Sequence, residues 1–454
     1  MSLNLIKPIE PLQRKAALII YTLVFTLVFE GILRKLVPSA IGLAVFFLKD
    51  ALCLLAFFYV AKYEFNGLGI TLVKAWKYIF IAFLPLFIAA TFHDPILGFY
   101  GLKQYLLYPV VGLLLPIAFI TKDRIHFSKI TTVFISIIIP TTLIAIFQNA
   151  LPATHWLNRS VDGGSLDGFS AAGYLRVSST FSFTGQYSWF LNMISGFVAV
   201  NYFILGSNRT VLQNIILAVS TVCLVVGVFI TGGRTAVVGT GVCLGIGYIF
   251  STLKWPQYSL KKGIIAISIL FVLITGIRAI KPEFFAAYDK RSSGSEEKSH
   301  SAEIEERVFG DLFNWTDWLF LGDLHSVLIG NGISVMSNGS EKISPYAKEM
   351  KDKWGGGLES DLDTTAWEGG IYLMLVWYGF RLWVIIFCIN IWYQIKDKYM
   401  GTSVSFLLGF VISSGCLGTI AKQAPINIWW WFTVGCIVTI KKFYDDRSDQ
   451  KITA

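Results

Sequence analysis

Arg234 stands in "FITGGRTAVVG" (229–239), a permanent positive charge set between two long apolar runs. Gly232 and Gly233, just before it, let the chain turn tightly without side-chain obstruction. The N–H groups that open the following helix add the positive end of a helix dipole at the same place. Arginine beside a helix N-terminus is the chemistry of a phosphate site. The plainer alternative is an interfacial arginine snorkelling to lipid headgroups. Other charges lie where an apolar solvent would forbid them. "FEGILRK" (29–35) puts Glu30 and Arg34 four apart on one helical face. "FFLKDAL" (46–52) places Lys49 and Asp50 about eight residues into an apolar run, roughly 12 Å along a helix. "GLKQYLLYP" (101–109) opens another run with Lys103, which has no acidic residue within a turn. An ionised side chain inside a membrane costs roughly 2.5–3.5 kcal/mol on insertion scales, so each of these needs a partner or a wet cavity. Mutual pairing among Glu30, Arg34, Lys49 and Asp50 is the simplest expectation, because acid and base are equal in number.

The elements that must hold these groups follow from composition. Of 454 residues, 54% are hydrophobic and 15% charged, and the mean hydropathy is +0.61, which no soluble globular domain approaches. Crossing about 30 Å of hydrocarbon takes about 20 helical residues. Segments of that kind are expected near 16–37, 41–61, 76–92, 100–120, 130–150, 187–205, 211–230, 235–251, 263–280, 366–393, 403–421 and 424–440, about twelve helices. The first is too long for a signal-peptide core and is expected to remain as a helix. Lysines and arginines cluster in alternate short connections and after residue 440, so the positive-inside rule puts both termini in the cytoplasm. The net charge of +9 then faces anionic headgroups, and no nucleic acid is needed to explain it.

Three regions result: helices 1–9 over 1–280, a large outward connection over 281–365, and three further helices with a cytoplasmic tail over 366–454. A smaller outward connection covers about 151–186. Within the large one, 302–324 has apolar residues at helical spacing and reads as an amphipathic helix against the membrane or over a cavity. All six cysteines fall in apolar runs, and there is no Walker loop, H-E-x-x-H or C-x-x-C. Metal, nucleotide and redox chemistry have no foothold.

"TGGRTAVV", "GLKQYLLYP", "LIGNGIS" (328–333) and "ESDLDTTAWEGGIYLMLVWYGF" (359–380), with "FEGILRKLVP" and "YLRVSSTFSFTGQYSWFL" (174–191), resemble the bacterial O-antigen polymerase and O-antigen ligase family, in an exopolysaccharide polymerase-like branch. The resemblance implies an all-α, GT-C-type glycosyltransferase of the bacterial inner membrane. It would act on the outer face, on oligosaccharides carried by undecaprenyl pyrophosphate, with no metal or other cofactor. Arg234 would hold the diphosphate over Gly232 and Gly233. Arg176, Arg307, Lys103, Arg34 and Lys49 would complete the anion site. Ligases carry a His-Asn pair before the helix that follows the large loop, whereas this chain has Glu359, Asp361 and Asp363, which leans the expectation toward a polymerase. The base for the acceptor hydroxyl would be one of those acids, Glu368 or His325. A flippase and a chain-length regulator are the expected partners, membrane lipids surround the chain, and a lipid-linked sugar transporter is the competing class.

Overall fold

The computed structural model describes residues 10–65, 67–119, 124–161, 163–164, 175–205, 208–292, 314–316, 323–353 and 360–453. It is helical, with no strand among the described residues. In chain order the helices are α1 (Glu10–Leu36), α2 (Ser39–Ala61), α3 (Leu68–His93), α4 (Pro95–Leu102), α5 (Pro109–Ala118), α6 (Arg124–Ser136), α7 (Ile138–Ala150), α8 (Thr184–Ile204), α9 (Val211–Ile230), α10 (Arg234–Lys254), α11 (Pro256–Ile280), α12 (Glu283–Ser292), α13 (Leu324–Ile329), α14 (Pro345–Lys353), α15 (Asp361–Gln394), α16 (Lys398–Leu417) and α17 (Ala424–Thr453).

Each expected apolar segment falls on a helix. Nine spans among the described residues are long and apolar enough to cross a membrane, with α6 and α7 counted as one. A tenth forms if α4 and α5, bent by 41° across a π-helical turn at Lys103–Leu107, count as one. The expected segments at 187–205 and 424–440 are α8 and α17, which are not among these ten. Their surroundings explain why. Along α8, Ser188, Asn192, Ser195 and Asn201 are buried among protein neighbours, and α17 buries Asn427 with Trp429, Trp430 and Trp431. A helix walled in by other helices can afford polar side chains that a lipid-facing one cannot. At the other extreme, the apolar window of α11 is only 6% buried within the protein, so it presents nearly its whole surface outward.

Local signals set the boundaries. Thr210 and Gln213 form a capping box at the start of α9, and Asp397 caps α16. Ser360 caps α15 by accepting the N–H of Asp363, and Pro95, Pro109 and Pro256 open α4, α5 and α11. One end of the bundle gathers the long connections. There Lys35 donates to the Leu157 carbonyl at 2.8 Å, Tyr100 to the Asn338 carbonyl at 2.7 Å, and the Asn338 N–H to the Lys422 carbonyl at 3.4 Å. The other end gathers the short, basic connections. There Lys254 donates to the carbonyls of Trp392, Tyr393 and Ile395 at the close of α15.

The described end of the smaller connection, expected to stay outside, folds into the bundle. Residues 177–181 are buried, and Ser179, with φ of +55°, donates its hydroxyl to the Thr141 carbonyl at 2.6 Å. Thr141 lies nine residues before the end of α7, roughly 14 Å along the helix. Gln148 accepts the Ser179 N–H at 2.7 Å, and the Ile32 N–H donates to the Thr180 carbonyl at 3.0 Å. Gly31 permits this contact, since a Cβ there would fall on the Phe181 backbone. Irregular backbone at such depth is tolerable because neighbouring protein meets its polar groups.

The large connection folds back in two places. α12 covers the α9–α10 turn, with Phe229 and Phe285 4.4 Å apart. Residues 324–353 pack across α15, burying Val335, Met336 and Ala347 with Leu97 and Trp367. Trp315 and Thr316 lie in a short 3₁₀ turn, and most of the amphipathic helix expected at 302–324 falls outside the described residues.

Candidate functional site

The intramembrane charges converge at the long-loop end, where α1 and α2 meet the π turn after α4. Glu30 accepts from Arg34 at 3.3 Å and from Lys49 at 3.2 Å, so one acid serves two bases. Asp50 turns elsewhere. It accepts from Lys103 at 3.1 Å and from the Tyr108 hydroxyl at 2.6 Å. The expectation of pairing thus holds for Glu30, Arg34 and Lys49, while the partner of Asp50 is 53 residues away. Aromatic rings complete the enclosure, with Lys49 3.7 Å from the Phe46 ring centre and Lys103 4.1 Å from that of Tyr100. Lys49 and Glu30 are sealed in, whereas the side chains of Arg34 and Lys103 keep 13% and 16% of their surface open. Those two cations are therefore the accessible ones of the three.

The returning segment joins this cluster to the glycine turn. The Ser182 hydroxyl donates to Glu30 at 3.1 Å and meets Arg34 at 3.5 Å. Two residues later α8 begins, without a side-chain cap, and Thr184 donates to the Arg176 carbonyl at 3.1 Å. One turn further along α8, Ser188 lies against Gly233. Gly233 caps α10 without a side chain, and Arg234 is the first residue of that helix, half-buried. Gly232 has φ of +61°, and a Cβ there would strike Ala287 of α12, so glycine is required both for the turn and for the cover. The Arg176 carbonyl thus meets the first residue of α8, the α10 start that carries Arg234 lies one turn further along, and the dipoles of α8 and α10 both add positive potential there.

The proton-accepting candidates lie across the π turn, on α15. Asp361 is buried, and its Oδ2 accepts from Arg381 at 2.5 Å and from Tyr378 at 3.3 Å while its Oδ1 accepts the Ala421 N–H at 2.9 Å. Arg381 also donates to the carbonyls of Gly415, Ser414 and Gly418, closing the end of α16. This geometry makes Asp361 a brace between α15 and α16, and it counts against the role of base. Glu368 is fully buried and accepts from Tyr105 at 2.6 Å and from the Met336 N–H at 2.9 Å. It sits where α15 breaks, at Gly369 and Gly370, and it anchors the 324–353 cover. His325 is exposed on α13. Asp363 is buried in the first turn of α15. Glu359 and Arg307 fall outside the described residues.

No family model matches the chain, and no curated protein matches it. The site therefore rests on its own chemistry. Around α1, α2 and the π turn stand Arg34, Lys49 and Lys103, with Glu30 and Asp50 as the carboxylates paired into them, and Ser182 links this set to the starts of α8 and α10, where Arg176 and Arg234 lie along the backbone. An arrangement of that kind can hold an anion at the rim of an apolar bundle.

Residues with a large share in this geometry went unremarked in the sequence. Tyr105 and Tyr108 look like ordinary apolar-run aromatics, yet their hydroxyls reach Glu368 and Asp50. Ser182 gave no signal at all. Arg381, in "WYGFRLWV", did give one: a charge in the middle of an apolar run.

Proposed function

We propose that the chain is a polysaccharide polymerase of the inner membrane, with twelve spans of GT-C type, both termini cytoplasmic and its site on the outer face. It would join undecaprenyl-pyrophosphate-linked repeat units into a surface glycan. The observation that carries this reading is the cluster of Arg34, Lys49 and Lys103 at the long-loop end, joined through Ser182 to the uncapped starts of α8 and α10, at which Arg176 and Arg234 stand in the backbone. A lipid diphosphate places its charge at that depth while its isoprenoid stays in the bilayer.

The growing chain on one carrier is the donor, and a hydroxyl of the incoming unit is the acceptor. Its oxygen attacks the anomeric carbon, the bond from that carbon to the diphosphate oxygen breaks, and the electron pair leaves on the diphosphate. The arginines offset the charge that develops there, Arg234 by two parallel N–H donors. The acceptor proton goes to a carboxylate near the start of α15, with Asp363 the candidate among the described residues and Glu359 the other. Lys49 and Glu30 hold the shape of the site, while Arg34 and Lys103 face the ligand.

A deletion strain tests the reading. Loss of a polymerase leaves single repeat units that a separate ligase still attaches, so the surface glycan should be one repeat long. Accumulation of long polymer on the carrier lipid would instead identify a ligase. Single units trapped on the cytoplasmic face would identify a flippase.

A further inference from the structure

The short-loop end carries a second cationic cluster, made from three separate parts of the chain. Lys262, near the start of α11, stands 4.9 Å from the ring centre of Tyr258, 5.7 Å from Tyr202 and 5.9 Å from Phe203. Lys398, the first residue of α16, stands 5.6 Å from Tyr258 and 5.2 Å from Tyr399. Arg209, from the connection between α8 and α9, lies 5.5 Å from Tyr202. The charges share these rings, and Arg209 and Lys398 are both near enough to repel Lys262.

Neither lysine forms an ion pair among the described residues. Asp397, next to Lys398, uses its Oδ1 to cap α16, accepting the N–H groups of Tyr399 and Met400, each at 2.9 Å. Arg209 is held in place by Asn214 and by the carbonyls of Asn201 and Tyr202, which are neutral acceptors. Two lysines and an arginine that share one set of rings repel one another, and an anion bound among them relieves that repulsion.

The surroundings say which anion. On the Lys262 face of α11, at i+3, i+7 and i+10, Ile265, Ile269 and Val272 turn outward, at 45%, 46% and 65% exposure. A phosphate held by Lys262 and Lys398 would have its acyl chains laid along that apolar face, and tyrosine rings at this level suit the boundary between headgroup and hydrocarbon. We propose that Arg209, Lys262 and Lys398 form a binding site for the phosphate-bearing headgroup of an anionic lipid. The site is remote from the cluster on α1, α2 and α8, and it does not depend on the function proposed above.

Native mass spectrometry of the full chain in neutral detergent tests the proposal, with phosphatidylglycerol titrated and phosphatidylcholine as control. Wild type should retain phosphatidylglycerol saturably and with clear preference. Each lysine removed should weaken retention about five-fold, so that Lys262→Gln with Lys398→Gln weakens it about 25-fold. Lys77→Gln with Lys129→Gln, two exposed lysines elsewhere, should leave it unchanged. Should the paired variant melt early, Lys398→Gln alone, at the exposed position, carries the test. Equal retention by wild type and the Lys398→Gln or paired variant overturns the site. Displacement of the lipid by equimolar inorganic phosphate overturns the lipid as its source.

Discussion

At the scale of single residues, Arg234 is the position on which the proposed chemistry turns. A lysine keeps the charge but loses the planar fork of donors. Arg234→Lys should therefore lose about 100-fold in kcat/KM, nearly as much as Arg234→Ala. Turnover of lipid-diphosphate oligosaccharide by purified protein measures it, and a fully active lysine variant removes Arg234 from the diphosphate. The brace at Asp361 makes a separate prediction about stability. Arg381→Met strands a buried carboxylate and should cost about 3–5 kcal/mol, read as thermal unfolding in detergent. Adding Asp361→Asn should restore part of that loss, because the uncompensated charge disappears. The residue scale also marks a limit of reading sequence. Helical spacing paired Glu30 with Arg34, but it could not reveal that Asp50 turns to Lys103, because that contact depends on how α2 meets the π turn. Arg381 breaks an apolar run as openly as Lys49 does, and its acid is 20 residues away, at the start of α15 beyond the break at Gly369 and Gly370.

At the scale of elements, the helices were legible because each apolar run carries its own signal, while the excursions between them were not. "VSSTFS" (177–182) is polar and reads as an exposed loop. It is buried because Gln148, Thr141 and the backbone at Ile32 supply its hydrogen bonds, and none of these partners is local in sequence. The 324–353 cover is held at two points that can be tested. Glu341 accepts from Lys351 at 2.5 Å, and Lys351 also donates to the Ser337 carbonyl at 2.8 Å. Burial pushes the Glu341 carboxyl up, but the hydrogen bond from Lys351, a backbone hydrogen bond and the charges of Lys351 and Lys342 together more than offset this, so it lies below its ordinary value of 4.5. A carboxyl depressed in the folded state stabilises it above the unfolded value and loses that contribution as pH falls through the folded one. Protection of 337–351 from hydrogen exchange should accordingly weaken below about pH 4.5 in wild type and be less pH-dependent in Glu341→Gln. The second point is Gly370, at φ of +59° and ψ of −159°, where a Cβ would meet the Val327 carbonyl. Gly370→Ala should cost at least about 1–3 kcal/mol and expose 324–353 to protease, whereas Gly379→Ala, with open space at its Cβ, should not.

At the scale of the whole molecule, the proposed enzyme offsets the charge of its leaving group with arginine and lysine. Activity on lipid-diphosphate oligosaccharide should therefore persist in a chelator and without nucleotide sugar, and strict dependence on added magnesium or manganese would overturn the mechanism. The break at Gly369 and Gly370 matters at this scale as well. Residues 361–368 are continuous in sequence with the rest of α15, yet the Asn331 N–H donates to the Trp367 carbonyl and the Gly332 N–H to that of Glu368, so their end is tied to the cover. Mechanically, these two turns are a strut clamped at both ends, by Asp361 to Arg381 and the Ala421 N–H and by Glu368 to Tyr105 and the Met336 N–H. A load on the cover therefore falls on the hydrogen bonds at Asn331 and Gly332 and on the break at Gly369 and Gly370 before it reaches the later turns of α15.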